Sequence, residues 1–419
     1  MSIGRGAWVW ARRALLAVVL IGAVVIPGRA TSQQTQHCSG LRCRAAGSIL
    51  WTANLPGQWL AETGVAGTVA SPDPGYTAMG GGLAVLAAGL RVTAFRLDTG
   101  SRAWQTTITG LPSGSEIVGV RAFGSVVAVG VQPPPSIAVE RYEVIVSAAT
   151  GTELRSYPAA AYGGAIAADG ASVVVVDQTA VTAYANSTGR VLWSRTVGPP
   201  GQPWQVSGQY VYVAQPDGSA GVLQVRRISL GTGAETVLRA PGGSAYPGTL
   251  SAVIDGVMLF STPEGVAAYG AATWHKDKMA LELADPSASV VYLASGTALD
   301  GLDVASGTVL SRASLSVAGS LYWVSGGVAL GLDQNALGDA WGYSLNSHRV
   351  LWTATGLPWP HFFVDLSGLG GSASPGGRVA LIATCARVGP KPTATSAPNC
   401  LRPELAAVLI TTLSGKETA

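Results

Sequence analysis

The sequence predicts an all-β protein, an eight-bladed β-propeller whose blades are four-stranded antiparallel sheets. Three observations lead to this prediction. The chain of 419 residues is 48% hydrophobic and only 12% charged, with 55 glycines, a composition that suits short apolar strands packed on both faces. A turn followed by a returning strand recurs eight times. A short apolar strand also recurs eight times, in strict alternation with the first signature.

The first signature is clearest in Val181–Arg195. Alternating residues predict one strand, Ser187–Arg190 turns the chain, and Val191–Ser194 runs back as a second strand. Gly189 belongs at the turn because glycine takes positive φ without steric cost. The eight turns are predicted at Gly47, Gly100, Gly151, Gly189, Gly233, near Thr273, at Gly307 and at His348. Four returning strands carry a tryptophan four residues after the turn position, and we expect these large rings to pack between blades: Trp51, Trp104, Trp193 and Trp352.

The second signature is a short, nearly continuous apolar strand opened by glycine or another small residue. Its copies begin at Gly81, Gly124, Ala171, Gly208, Asp255, Ala288, Gly326 and Gly376. The repeat length of about 34 to 53 residues is in the range of propeller blades. A lone sheet this apolar cannot cover both of its faces, so we expect successive sheets to pack face to face around an axis. Seven blades are the alternative, if the degenerate unit between Thr273 and Gly307 is not a full sheet.

The two ends of the repeat region complement each other. Glu404–Leu413 has the pattern of a strand that precedes a turn, but almost nothing follows it. Ser48–Leu55 is a returning strand with no hairpin before it, and Val350–Pro358 is its near-copy. We therefore predict that the N-terminal strand completes the last blade.

Residues 1–30 are predicted to be a signal peptide or an N-terminal membrane anchor. Arg12 and Arg13 precede the uncharged run Ala14–Pro27, and this order is typical of a secretory signal. The run is shorter than the roughly 20 residues of a membrane span. Residues 31–47 are predicted as a linker with a cysteine pair, and residues 48–419 as the propeller. We expect the bulk of the chain to lie outside the cytoplasm, either secreted or anchored to the cell membrane by its N-terminal segment.

The four cysteines form two close pairs, Cys38 with Cys43 and Cys385 with Cys400. Four cysteines allow three disulfide connectivities, and an exported chain favours disulfides. Local pairing is the preferred prediction, with Cys385–Cys400 closing an insertion predicted over residues 386–404. His37 beside Cys38 suggests zinc, but a single histidine next to a C-x4-C motif is poor zinc spacing.

The turn with Thr-Gly or Ser-Gly and the tryptophan at the fourth position resembles the repeat of PQQ-like (quinoprotein-type) eight-bladed propellers. The resemblance runs from Gly47 to the end of the sequence. That family includes quinone-dependent alcohol dehydrogenases and also non-enzymatic export and assembly scaffolds. The resemblance implies the fold, and we interpret the chain as a member of the non-enzymatic exported branch. Four repeats depart from the motif, with Arg155, Val237 and Ser311 at the tryptophan position and with Trp274 displaced.

The catalytic features that the quinoprotein enzymes imply are missing from the sequence. Those enzymes imply adjacent cysteines over the cofactor and an acidic base beside a calcium ligand set. This chain has no Cys-Cys pair and no D-x-D-x-D run. Its four histidines lack ligand spacing, and no G-x-S-x-G nucleophile turn is present. We therefore predict no catalytic, cofactor-binding or metal-ligating residue, and the sequence favours a non-enzymatic role.

Protein binding is the function that the sequence favours. A net charge of +3 and 26 scattered basic residues exclude a nucleic-acid surface. The leading hypothesis is an exported or membrane-tethered, monomeric propeller that binds or scaffolds an envelope or extracellular protein. Candidate partner contacts lie in the charged patch 274–278 and the aromatic stretch 359–363: Trp274, His275, Lys276, Trp359 and His361. The alternative is a funnel-site enzyme, or a propeller that binds carbohydrate or another small ligand on its axis.

Overall fold

The computed structural model describes fifteen segments of the chain. They are residues 46–54, 76–159, 164–177, 179–198, 204–217, 222–239, 248–270, 273–285, 288–295, 298–314, 320–332, 340–354, 362–363, 379–388 and 400–409. All of them belong to one unit of the chain, Gly40–Ala419, and the other unit, Met1–Ser39, lies outside the described residues. The regular structure of the described residues consists of 32 β-strands, and no described helix is long and apolar enough to cross a membrane.

The strands form eight four-stranded antiparallel sheets, which we number as blades in chain order. Blades 1 to 4 comprise β2 (Tyr76–Gly80), β3 (Leu83–Ala88), β4 (Arg91–Arg96), β5 (Arg102–Thr107); β6 (Glu116–Phe123), β7 (Val126–Gln132), β8 (Arg141–Ser147), β9 (Glu153–Ala159); β10 (Gly164–Ala168), β11 (Ser172–Val176), β12 (Ala180–Ala185), β13 (Val191–Thr196); and β14 (Trp204–Ser207), β15 (Tyr210–Asp217), β16 (Val222–Ser229), β17 (Glu235–Arg239).

Blades 5 to 8 repeat the same meander. They comprise β18 (Thr249–Ile254), β19 (Val257–Thr262), β20 (Gly265–Tyr269), β21 (Thr273–Asp277); β22 (Ala280–Asp285), β23 (Val290–Ser295), β24 (Ala298–Asp303), β25 (Val309–Ser314); β26 (Ser320–Ser325), β27 (Val328–Leu332), β28 (Ala340–Ser344), β29 (Arg349–Ala354); and β30 (Phe362–Phe363), β31 (Val379–Val388), β32 (Cys400–Leu409), β1 (Ile49–Asn54). Eight sheets confirm the eight-bladed prediction. The seven-bladed alternative is wrong, because the unit after Thr273 contains the complete sheet β22–β25.

Burial distinguishes the strands of a blade. The second and third strands are almost wholly buried, as in β7, where six of seven residues are buried. The fourth strands are the most exposed, as in β13 and β21. First strands of neighbouring blades contact each other, as β2 does with β6 and β14 with β18. We therefore call the first strand of each blade the inner strand, which borders the axis, and the fourth the outer strand.

Apolar clusters join neighbouring blades. Val85 of blade 1 packs with Val129 of blade 2 in one cluster, for example, and equivalent clusters join blades 2 to 7 in chain order. Another cluster joins Leu381 of blade 8 to Leu86 of blade 1. Packing successive sheets in this way buries both faces of strands that a lone sheet would leave exposed.

The N-terminal strand is the outer strand of the eighth blade. β1 pairs with β32 in antiparallel register, and Asn54 lies opposite Glu404. This pairing confirms the prediction that the first strand completes the last blade.

The prediction that residues 386–404 form an insertion is wrong at both ends of that range. β31 continues to Val388 and β32 begins at Cys400, so both ends of that range are strand. The register places Cys385 opposite Pro403 and Cys400 opposite Val388. Cys385 and Cys400 therefore do not face each other across the two strands. The disulfide between them stays a prediction. Cys38 and Cys43 lie outside the described residues.

Candidate functional site

Four tryptophans on outer strands dock against the following blade. The ring of Trp104 lies against Gly151, where an added Cβ would be 2.7 Å from its nearest ring carbon. Trp51, Trp193 and Trp352 lie in the same way against the turn glycines Gly100, Gly233 and Gly47. Glycine suits these turns for two reasons, since φ is positive at all four and a side chain would overlap the ring.

Hydrogen bonds fix two of these rings in place. Trp51 Nε1 donates to the carbonyl oxygen of Leu97 at 2.9 Å, and Trp104 Nε1 donates to that of Ala148 at 2.7 Å. Trp193 Nε1 is also buried, but it has no hydrogen-bond partner among the described residues. Trp51 and Trp104 can therefore hold their neighbouring blades more strongly than Trp193 can.

Trp274 belongs with these docking tryptophans, and its predicted role as a partner contact stays a prediction. Its ring lies against Gly307 of blade 6, and its Nε1 donates to the carbonyl oxygen of Val304 at 2.9 Å. On the neighbouring strand Trp274 lies opposite Ala268, just as Trp104 lies opposite Ala94. A shorter turn explains the displaced spacing, because the cross-strand register is kept while the turn changes length.

The other predicted partner contacts fall into two groups. His275 Nδ1 and Asp277 Oδ1 are 2.9 Å apart on the exposed outer strand of blade 5. Lys276, on the same strand, is half-buried and lies near the Asp300–Arg312 ion pair of blade 6. Trp359 and His361 lie outside the described residues.

The outer edges of the blades differ in polarity. Blades 1, 2 and 4 place Arg102, Glu153 and Glu235 at the second residue after the turn glycine, and such charges protect a sheet edge from unwanted pairing. Blades 3, 6 and 7 have valine at the equivalent position, followed by leucine. These exposed pairs, with their exposed fractions, are Val191 (51%) and Leu192 (46%), Val309 (43%) and Leu310 (60%), and Val350 (48%) and Leu351 (44%).

A polar cluster lies on the face of blade 2 that packs on blade 3. Arg141 crosses the sheet toward the axis in a trough formed by Gly119 and Gly130, where an added Cβ on Gly130 would overlap its guanidinium. Arg141 Nε donates to Glu143 Oε1 at 2.6 Å, and both side chains are buried. The carboxylate lies against Gly164 at the start of the inner strand of blade 3.

Arg121 extends this cluster to the axis. It lies on the inner strand of blade 2, is partly buried, and its Nη1 donates to the carbonyl oxygen of Ala165 at 3.0 Å. Its Cζ is 5.7 Å from the ring centroid of Trp204, on the inner strand of blade 4. Burial lowers the pKa of Arg121, Glu143 opposes that shift, and Arg141 adds to it.

The cluster was not predicted from the sequence. The available signals were Gly119 and Gly130 inside otherwise apolar strands, since glycine in a strand interior marks a close approach. A second signal was the charged pair Arg141 and Glu143 at the start of an apolar strand. Among the described residues, no group of three or more histidine, cysteine, aspartate or glutamate residues is placed to hold a metal ion.

Eight four-stranded meander sheets, joined in order by interblade clusters and docking tryptophans, define the class of the protein as an eight-bladed β-propeller. A family model described as outer membrane protein assembly factor BamB matches residues 43–195 and, overlapping them, 140–321. The two matches cover about two thirds of the chain. The chain therefore belongs to this family of PQQ-like propellers, as the repeat motif predicted.

Several solved structures match the chain at low sequence identity, with TM-scores below 0.5. The crystal structure of BamB from Moraxella catarrhalis is 18% identical, with 64% of this chain and 79% of that chain covered and a TM-score of 0.41. The computationally designed protein Ika8 is 16% identical, with 66% and 85% covered and a TM-score of 0.46. A chain of the mitotic checkpoint complex is 11% identical, with 92% and 98% covered and a TM-score of 0.41. No curated protein sequence matches significantly.

Proposed function

We propose that this protein is an extracytoplasmic propeller that binds another envelope protein and acts as a scaffold, without cofactor chemistry of its own. Residues 1–30 would direct export as a signal peptide or retain the chain at the membrane as an anchor, residues 31–47 would link that segment to the propeller, and the propeller would act as a monomer. The family description supports the proposal, because it names a factor of outer membrane protein assembly, which is a role exercised on other proteins.

The observation that carries the proposal is the apolar outer edge of two adjacent blades. Blades 6 and 7 expose Val309, Leu310, Val350 and Leu351, each by 43 to 60%. Exposed aliphatic side chains at equivalent positions of neighbouring blades form the kind of surface that marks a protein-binding site. The charged residues that protect blades 1, 2 and 4 at this position are replaced here by valine.

The strand geometry supports binding by strand addition. β25 and β29 are the last strands of their sheets, and no other described strand pairs with either on its outer side. Successive residues of a strand point to opposite faces, so each Val-Leu pair presents one apolar side chain on each face. An extended segment of a partner could pair with this edge through its backbone and cover both side chains.

Site-specific cross-linking in cells tests the proposal. A photoactivatable amino acid is placed at Leu310 and, separately, at Leu351. The matched control carries it at Arg102, which occupies the same outer-strand position as Val350 but in blade 1. We expect one discrete adduct with the same envelope protein from both blade edges and none from the control. The double substitution of Val309 and Leu310 by lysine should abolish the adduct formed at Leu351, because the proposed partner spans both blades.

Two outcomes would overturn the proposal. One is the absence of any adduct from both blade edges in cells that produce the folded protein. The other is an equal set of adducts from the Arg102 control, because that result would describe random collisions and not a binding edge.

A further inference from the structure

The polar cluster of blade 2 has an excess of positive charge. Among the residues that the structure describes, Arg121 and Arg141 face a single carboxylate, Glu143, and that carboxylate is already hydrogen-bonded to Arg141. Arg121 has no carboxylate within salt-bridge distance among the described residues. Its guanidinium carries five N–H donors, and its hydrogen bond to the Ala165 carbonyl oxygen uses one of them.

The described inner strands of the two following blades do not supply the missing negative charge. Gly164–Ala168 of blade 3 and Trp204–Ser207 of blade 4 contain no aspartate or glutamate. On the described inner strands of all eight blades, Arg121 is the only lysine or arginine. Arg121 is therefore the one cation carried by the described inner strands, and it is held beside an aromatic ring and partly accessible to solvent.

The surroundings of Arg121 orient it for recognition. Arg121 reaches from the inner strand of blade 2 to Trp204 on the inner strand of blade 4, so its planar group is held between three inner strands. A guanidinium in a partly desolvated place binds an oxyanion more strongly than one in water, because the low local dielectric strengthens charge-assisted hydrogen bonds. Holding the guanidinium in advance also reduces the entropy lost on binding.

We propose that Arg121 and Trp204 form a binding site on the propeller axis for a small oxyanion ligand, a carboxylate or a phosphate. The ligand accepts hydrogen bonds from the free donors of Arg121 and neutralises the excess charge of the cluster. Glu143 limits the affinity, because its charge partly satisfies the two arginines before any ligand arrives. This site is separate from the outer edges of blades 6 and 7 and does not depend on partner binding.

Calorimetric titration of the purified full chain tests the site. Succinate and inorganic phosphate are titrated separately to distinguish the two oxyanions, and neutral succinamide is the control ligand. We expect at least one anion to bind and succinamide not to bind. Arg121→Gln should weaken the anion about tenfold or more, as the loss of hydrogen bonds to a charged group predicts. Arg190→Gln, on an exposed turn of blade 3, should leave the affinity unchanged.

A second variant keeps the test decisive if Arg121→Gln does not fold. Glu143→Gln preserves the shape of the side chain and removes the one negative charge of the cluster, so it should tighten anion binding. A purely structural role for the cluster would not produce that opposite shift. The proposal is overturned if neither anion binds at millimolar concentration, if succinamide binds equally well, or if Glu143→Gln weakens the anion.

Discussion

Replacing Trp104 with phenylalanine isolates the contribution of one docking hydrogen bond to the folding stability of the propeller. Trp104 is 7% exposed, and its Nε1 donates to the Ala148 carbonyl oxygen at 2.7 Å. Phenylalanine retains an aromatic ring against Gly151 but has no donor, so a buried carbonyl loses this partner. The expected loss in the free energy of unfolding is about 1 to 3 kcal/mol.

The chain provides a matched control for this substitution. Trp193 docks on Gly233 in the same way, but its Nε1 has no hydrogen-bond partner among the described residues. Trp193→Phe therefore removes a buried donor without breaking a protein hydrogen bond, and should cost less than about 1 kcal/mol. Trp51→Phe repeats the test, since Trp51 Nε1 donates to Leu97, and should resemble Trp104→Phe.

Urea unfolding followed by far-ultraviolet circular dichroism measures all three variants, because this signal does not depend on the deleted indole. We expect the midpoints of Trp104→Phe and Trp51→Phe to fall clearly below that of Trp193→Phe, with unchanged slopes. The reasoning is refuted if Trp193→Phe is destabilised as much as the other two. That result would assign the stabilisation to ring packing alone.

Two further predictions concern a turn glycine and a buried carboxylate. Gly151→Ala should lower the urea midpoint more than Gly124→Ala, because both glycines have positive φ (74° and 68°) but only the Cβ at position 151 would meet the Trp104 ring; equal losses would contradict the docking geometry. Hydrogen bonds from Arg312 at 2.7 and 2.8 Å hold the pKa of buried Asp300 below its ordinary value of 3.8. A depressed folded-state pKa adds stability above the unfolded value, and that stability is lost as the pH falls through the folded value. Asp300→Asn should therefore be less stable than the wild type at pH 7, with the gap narrowing below about pH 3.8 in pH-dependent urea midpoints; a gap independent of pH would count against the ion pair.

Much of the architecture could be predicted because it is specified locally. A turn glycine and alternating residues identify each hairpin, and the same hairpin repeats eight times, so Gly189 and its equivalents specify the blade count. The docking position was predicted less well, since it depends on cross-strand register and not on spacing along the chain. Trp274 meets the register rule, opposite Ala268, while it breaks the spacing rule.

The axial cluster could not be predicted, because its members are distant in sequence. Arg121, Glu143 and Trp204 come from three strands in two blades, and only the packing of blades 2 to 4 brings them together. The sequence does show the apolar outer edges, as Val-Leu pairs that precede a tryptophan or a serine. Their exposure could not be predicted, because Leu50, the leucine at the equivalent position of blade 8, is buried.

The pairing of β1 with β32 has a consequence for biogenesis. β1 is synthesised before the other described strands and has no partner in its own sheet until β32 has been made. Blades 1 to 7 can each form from contiguous sequence, whereas the eighth must join segments from opposite ends of the chain, a contact with a high loop-closure cost. The unpaired β32 edge and the apolar face of blade 1 would remain exposed until that step. The pairing of β1 with β32 is thus one late, long-range folding step. Until it occurs, newly synthesised chains would need protection against aggregation.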